Sequence, residues 1–147
     1  QVLIGKARTL SGLAQGLTAG VSKLAEEFWP GLLTFNLPQN QSLSWDLGDG
    51  GHLKNFAVRM PNQIQTLEVL NATGPLAIAS ATLAGEGSIR TAMNPHDLEL
   101  LDIGELESGP LSTVIVQTGE KLLLSRVGAI TLEDLRKVDS AIELAKE

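Results

Sequence analysis

Apolar residues recur every three or four positions between Thr9 and Trp29, at Leu10, Leu13, Leu17, Val21, Leu24 and Phe28. That spacing lines one face of a helix. Gly12, Gly16 and Gly20 fall inside the pattern, and each weakens a helix interior by about 1 kcal/mol relative to alanine. The stretch therefore predicts two shorter helices meeting near Gly16 to Gly20, the second stopped by Pro30-Gly31. Residues 32–37 read as a buried strand, and the polar, glycine-rich stretch that follows through Gly51 reads as a loop. Phe56, Val58 and Met60 alternate with Asn55, Ala57 and Arg59, a period of two that places Arg59 on the face opposite the apolar side chains. Ile64, Leu67 and Leu70 keep helical spacing up to Gly74, and a short apolar run over 76–79 follows. Gly85, Gly87 and Ser88 mark a loop, and Pro95 could open a helix-like segment at His96-Asp97-Leu98. Residues 112–116 and 121–124 are β-rich around Thr118-Gly119, a hairpin. Thr131 with Asp134 approximates a capping box for a final helix striped by Leu132, Leu135, Val138 and Ile142. Strands alternate with helices without repeats. The fold class is α/β (α+β), a twisted mixed β-sheet with flanking helices, the hairpin making it mixed rather than parallel.

Composition then removes whole classes of chemistry. With 147 residues the chain fits one domain, 1–147, with a sizeable core. It has no cysteine and only two histidines, His52 and His96, so no thiolate nucleophile, disulfide framework or multi-histidine metal site can be built within one chain. The net charge of −6 offers no overall positive field to nucleic acid or anionic lipid. No apolar run approaches the roughly 18 residues that span a bilayer, and no basic segment followed by an apolar stretch marks a signal peptide in these residues, so a soluble, cytoplasmic protein without a membrane partner is expected. The chain starts at Gln1 and enters Val2-Leu3-Ile4 at once, which reads as a domain incomplete at its N-terminus.

Few residues could carry chemistry. Gly48-Asp49-Gly50-Gly51-His52 lacks the lysine and following helix of a phosphate loop, and Asp46 and Asp49 lack the ligand spacing of a calcium loop. Both histidines read as surface residues, and the carboxylates lie beside amphipathic segments rather than as an acid/base pair. No catalytic side chain and no metal ligand is assigned. Ser80 to Ser88, directly after the 76–79 run, offers hydroxyls and backbone amides suited to phosphate, although small polar residues are equally common in plain turns. Arg59, Ser112-Thr113 and Arg126 remain at strand ends. Arginine holds carboxylate or phosphate bidentately and hydroxyls orient the same group. Residue chemistry alone stops at an anion- or nucleotide-binding α/β domain.

Five fragments, in order, carry a resemblance. Phe28-Trp29-Pro30-Gly31-Leu32-Leu33-Thr34 resembles F-W-P-G-P-L-T, and Val58-Arg59-Met60-Pro61 resembles V-R-x-P. Gly74-Pro75-Leu76 leading to Ser80-Ala81-Thr82-Leu83-Ala84-Gly85 resembles G-P-L followed by S-A-N-x-S-G. Ser112-Thr113-Val114 resembles S-T-V, and Arg126-Val127-Gly128-Ala129-Ile130 resembles R-P-G-A-I. These are motifs of the L-threonylcarbamoyladenylate synthase (YrdC-like) family. The resemblance implies a concave site on a twisted mixed sheet. There, L-threonine, bicarbonate and ATP are combined into threonylcarbamoyl-AMP and pyrophosphate for N6-threonylcarbamoyladenosine at tRNA position 37, with Mg2+ in the full-length member. By the same resemblance Thr34, Ser80, Thr82 and Arg126 would bind the nucleotide, and Arg59 and Ser112 the threonine.

It also implies possible partners in tRNA or double-stranded RNA. A non-catalytic nucleotide- or RNA-binding domain of the same fold is the alternative. The family's opening P-T-D-T-x-Y-G-L and K-x-R motifs are absent; Lys6-x-Arg8 follows the apolar run that normally comes after the latter. Thr82 and Ala84 stand where the family has Asn and Ser, and Leu32 and Val127 where it has Pro. The 147 residues alone are expected to lack synthase activity and to self-associate through an exposed sheet edge.

Overall fold

A computed structural model describes residues 1–48, 50–80 and 99–145. Residues 1–78 and 111–147 form one compact unit and residues 79–110 a second. In the second, the described residues are exposed and carry no helix or strand; the expected loop at Gly85 to Ser88 and helix-like segment at His96-Asp97-Leu98 lie outside the described residues.

The first unit is built on strands β1 (Val2–Leu3), β2 (Leu33–Pro38), β3 (Asn55–Arg59), β4 (Leu76–Ala77), β5 (Thr113–Thr118), β6 (Lys121–Arg126) and β7 (Glu143–Leu144). They form one mixed sheet in the order β4-β1-β3-β2-β5-β6-β7. The helices are α1 (Leu10–Leu13), preceded by a 3-10 turn at Ala7–Thr9, α2 (Ala19–Phe28), α3 (Ile64–Thr73) and α4 (Leu132–Val138). The expected break between the first two helices is real: Gly16 takes φ +63, which L side chains rarely adopt, and Thr18 caps α2 by accepting from the Val21 amide.

Alternation along the central strands decides which side chains are buried. Phe35 of β2 lies opposite Val58 of β3 and Ile115 of β5, and all three are fully buried. With Leu33, Leu37, Phe56, Leu122 and Leu124 they meet Leu10, Leu13, Val21, Leu24, Leu135 and Ile142 in one cluster. Burying each such side chain contributes about 1.5–3 kcal/mol, so a one-residue slip, which would turn this set outward, is strongly disfavoured. The same register fixes Thr34, Asn36, Ala57 and Arg59 on the opposite face of the sheet. Leu3 and Leu70 are buried outside the main cluster.

Several expectations need correction. The final helix stops at Val138, because Asp139 turns extended (φ −139, ψ 103) and the chain leads into β7, parallel to β6. Ile142 is buried as expected but lies beyond the helix, where its carbonyl accepts from Arg136 Nε at 3.0 Å. Thr131 does cap that helix, accepting from the Asp134 amide while its hydroxyl donates to Asp134 Oδ2 at 2.7 Å. The polar stretch after β2 is irregular as expected. Yet Leu43, Trp45 and Leu47 pack on the core, and Trp45 meets Phe56 edge-on at 5.3 Å. The 76–79 run forms only a two-residue exposed edge strand. The hairpin turn is Gly119-Glu120, Thr118 pairing with Lys121.

Candidate anion-binding site at one end of the sheet

Strand direction gathers the candidate residues. β2 runs antiparallel to β3 and parallel to β5, and β5 antiparallel to β6. The start of β2, the start of β5, the end of β3 and the end of β6 therefore share one end of the sheet. Thr34, Ser112, Arg59 and Arg126 occupy those four positions. Two backbone hydrogen bonds and one from a side chain hold the strand ends together. Gly31 N–H donates to Met60 O at 2.9 Å, Thr113 N–H to Leu32 O at 2.9 Å, and Trp29 Nε1–H to Leu33 O at 2.7 Å.

Ser112, nearly fully buried, is the hub. Its carbonyl accepts from Arg126 Nε at 3.0 Å and Nη2 at 2.9 Å, and its Oγ accepts from Arg126 Nη2 at 2.9 Å. Thr34 Oγ1 donates to the same Oγ at 2.9 Å. A hydroxyl has two acceptor sites and one proton; with both sites filled, the Ser112 O–H is left to donate to something else.

The chain after Arg126 is pinned by Thr113. Its Oγ1 donates to Ile130 O at 2.7 Å and accepts from Gly128 N–H at 3.0 Å and Ile130 N–H at 2.9 Å. Glycine at 128 is required by closeness: a Cβ there would sit 2.3 Å from Leu111 O and 2.5 Å from the Ser112 carbonyl carbon. Thr113, expected beside Ser112 as a hydroxyl that orients an anion, is instead fully buried and commits its hydroxyl to the backbone of residues 128–130. Gly128 carried no expected role, and its place in the R-x-G-A-I fragment was the only signal.

Arg59 is half-buried on the same face as Thr34, and its Nε is buried without a hydrogen-bond partner among the described residues. Burial, and then the positive charge of Arg126, hold its pKa below the ordinary arginine value. No ion pair neutralises either guanidinium among the described residues. The two like charges repel each other. An anion lying between the two would reverse that sign and also take up the spare Ser112 proton.

Of the expected site residues, then, Thr34, Arg59, Ser112 and Arg126 come together. Ser80 is exposed in the second unit, and Thr82 lies outside the described residues. Lys6 and Arg8 are exposed beyond β1, and His52 is exposed in the long loop. No group of three or more metal-binding side chains occurs among the described residues.

Comparison with known proteins gives the arrangement a context. The chain is 32% identical over 143 residues to a Mycobacterium tuberculosis (strain H37Rv) protein named "Putative threonylcarbamoyl-AMP synthase", a match covering 93% of this chain and 65% of that protein. It is 32% identical over 142 residues to the threonylcarbamoyl-AMP synthase of Pyrococcus abyssi, covering 92% of this chain and 41% of the relative. The crystal structure of P. abyssi Sua5 complexed with L-threonine superposes with a TM-score of 0.84 at 31% identity, over 98% of this chain and 44% of that one. The chain thus spans about two-thirds or less of the length of these relatives. The Sua5/YciO/YrdC family model, described as "Telomere recombination", matches residues 1–128, and the chain belongs to that family.

Proposed function

We propose that this chain carries the substrate-binding face of a threonylcarbamoyl-AMP synthase, which combines L-threonine, bicarbonate and ATP into threonylcarbamoyl-AMP and pyrophosphate for the tRNA modification. The observation that carries this reading is the pair of guanidiniums, Arg59 and Arg126, beside the Ser112 hydroxyl with no acidic partner among the described residues. The named synthases among the relatives, and the related structure that holds L-threonine, supply the substrate class.

In this reading Arg59 and Ser112 hold the threonine carboxylate, Arg126 sits at the nucleotide phosphates and Thr34 lines the adenylate pocket. The threonine amine and bicarbonate form a carbamate with loss of water, a carbamate oxygen attacks the α-phosphorus, and pyrophosphate leaves. The side chains at this end of the sheet supply charge neutralisation and proximity, which such a displacement chiefly needs. Hard cations prefer oxygen ligands, above all carboxylates. The two guanidiniums and two hydroxyls gathered here do not fit Mg2+, and no step is routed through it.

Assay of the protein expressed from its full gene tests the proposal: pyrophosphate release should require threonine, bicarbonate and ATP together. Release that persists without threonine overturns it, and binding of ATP or tRNA with no turnover supports a non-catalytic domain instead. Among the described residues no helix is long and apolar enough to cross a membrane. A cytoplasmic location suits the proposed tRNA pathway.

A further inference from the structure

Asn36 lies two residues beyond Thr34 on β2 and therefore on the same face of the sheet, one side-chain row farther from the cationic end, about 7 Å along the strand. Its cross-strand neighbours are Ala57 on β3 and Val116 on β5, neither of which offers a side-chain hydrogen-bonding group. The Asn36 Oδ1 is buried and has no hydrogen-bond partner among the described residues. An acceptor withdrawn from water and left unpaired costs folding free energy, and asparagine is a poor strand former. Valine would suit this position better on both counts.

Among the described residues three other buried side-chain atoms of the first unit also lack partners: Arg59 Nε, at the cationic end itself, and two that differ in setting. Gln117 Oε1 belongs to a side chain whose Nε2 already bonds the Gly16 and Gly119 carbonyls, and Trp45 Nε1 sits in the loop that packs on the core. Unlike those two, Asn36 shares a face with Thr34 and Arg59.

We infer that Asn36 is a specificity-determining residue of the site, its side-chain oxygen accepting a hydrogen bond from an N–H or O–H group of the anion held by Arg59 and Arg126. The inference rests on the function proposed above. The ligand class it selects is an anion that also carries a hydrogen-bond donor away from its charge, and both proposed substrates have one: threonine its hydroxyl, ATP its exocyclic amine. A site with a buried group waiting for a donor discriminates against an analogue that lacks one, because that group then stays unpaired.

Calorimetric titration of the chain and of its Asn36→Val variant tests this with two matched pairs. L-Threonine is compared with L-2-aminobutyrate, which lacks the hydroxyl, and ATP with ITP, which lacks the amine. The unmodified chain should prefer the donor-bearing member of one pair by about tenfold, and Asn36→Val should lose that preference while melting at the same or a higher temperature. Whichever pair responds identifies the donor. Equal preferences in the two proteins, or no preference in either pair, overturn the inference while the proposed function stands. A lower melting temperature for Asn36→Val shows a structural contact and overturns it as well. If the unmodified chain binds none of the four, the proposed function fails and this inference fails with it.

Discussion

Replacing Thr113 with valine keeps the side-chain shape and removes one oxygen, which makes it the sharpest probe of how the site is assembled. The Thr113 side chain is fully buried and its Oγ1 makes three hydrogen bonds: to Ile130 O at 2.7 Å, from Gly128 N–H at 3.0 Å and from Ile130 N–H at 2.9 Å. Thr113→Val leaves two amides and a carbonyl without that partner. Each fully buried orphan costs about 1–3 kcal/mol, but Gly128 and Ile130 are only half-buried, so water recovers part of the loss. A net destabilisation of about 3 kcal/mol follows. For a chain of this size that lowers the melting temperature by about 6–12 °C. Urea titration at unchanged slope gives the free energy directly. Thr113→Ser, which keeps the hydroxyl and loses only a methyl, should recover most of the stability. A Thr113→Val change under about 0.5 kcal/mol, or Thr113→Ser as unstable as Thr113→Val, would refute the claim that the hydroxyl holds the 127–130 segment against Ser112. Threonine affinity measured on the same samples should fall with the loss of the hydroxyl, since that segment leads directly from Arg126.

Arg59→Met removes a half-buried charge that burial and Arg126 disfavour, so the folded chain should be as stable as before or more so, while threonine or phosphate affinity drops by about tenfold or more; parallel melting and calorimetry check both signs. Trp45→Phe deletes a buried N–H that has no partner among the described residues and keeps the edge-on contact with Phe56, so its urea midpoint should move little, whereas Trp45→Ala should lower it markedly. Asp134 is held below the ordinary carboxylate range by hydrogen bonds first from Lys137 and then from Thr131. A depressed folded-state pKa means the stabilisation is present above the unfolded value of about 3.9 and disappears as the pH falls through the folded value. Asp134→Asn should therefore flatten the acid side of the melting-temperature profile, recorded from pH 7 down to 2. An unchanged profile refutes the assignment.

Much of this was legible from residue order because it depends on local periodicity. The alternation around Phe56 and Val58 placed Arg59 on the far face, the glycines near Gly16 broke the first helical stripe, and Thr131 with Asp134 marked the start of α4. Ile142 fitted the helical stripe only because a buried residue at that spacing has the same signature in a helix and in the segment entering a strand; pairing of β7 with β6 is a long-range event that periodicity does not encode. Leu43, Trp45 and Leu47 were submerged in a polar stretch, and only the core surface they cover gives them a role.

The order of apolar and polar residues determined the strands, the helices and the side of each strand that faces the core, since burial of large side chains penalises any other register. Tertiary structure alone decided that Thr34, Arg59, Ser112 and Arg126, up to 92 positions apart by number, meet at one end of the sheet. Strand order and direction set which ends are neighbours, and those arise from the packing of the whole sheet rather than from any segment of it. The bare amide of Asn36 belongs to the same category: whether a polar atom finds a partner depends on what the neighbouring strands bring beside it.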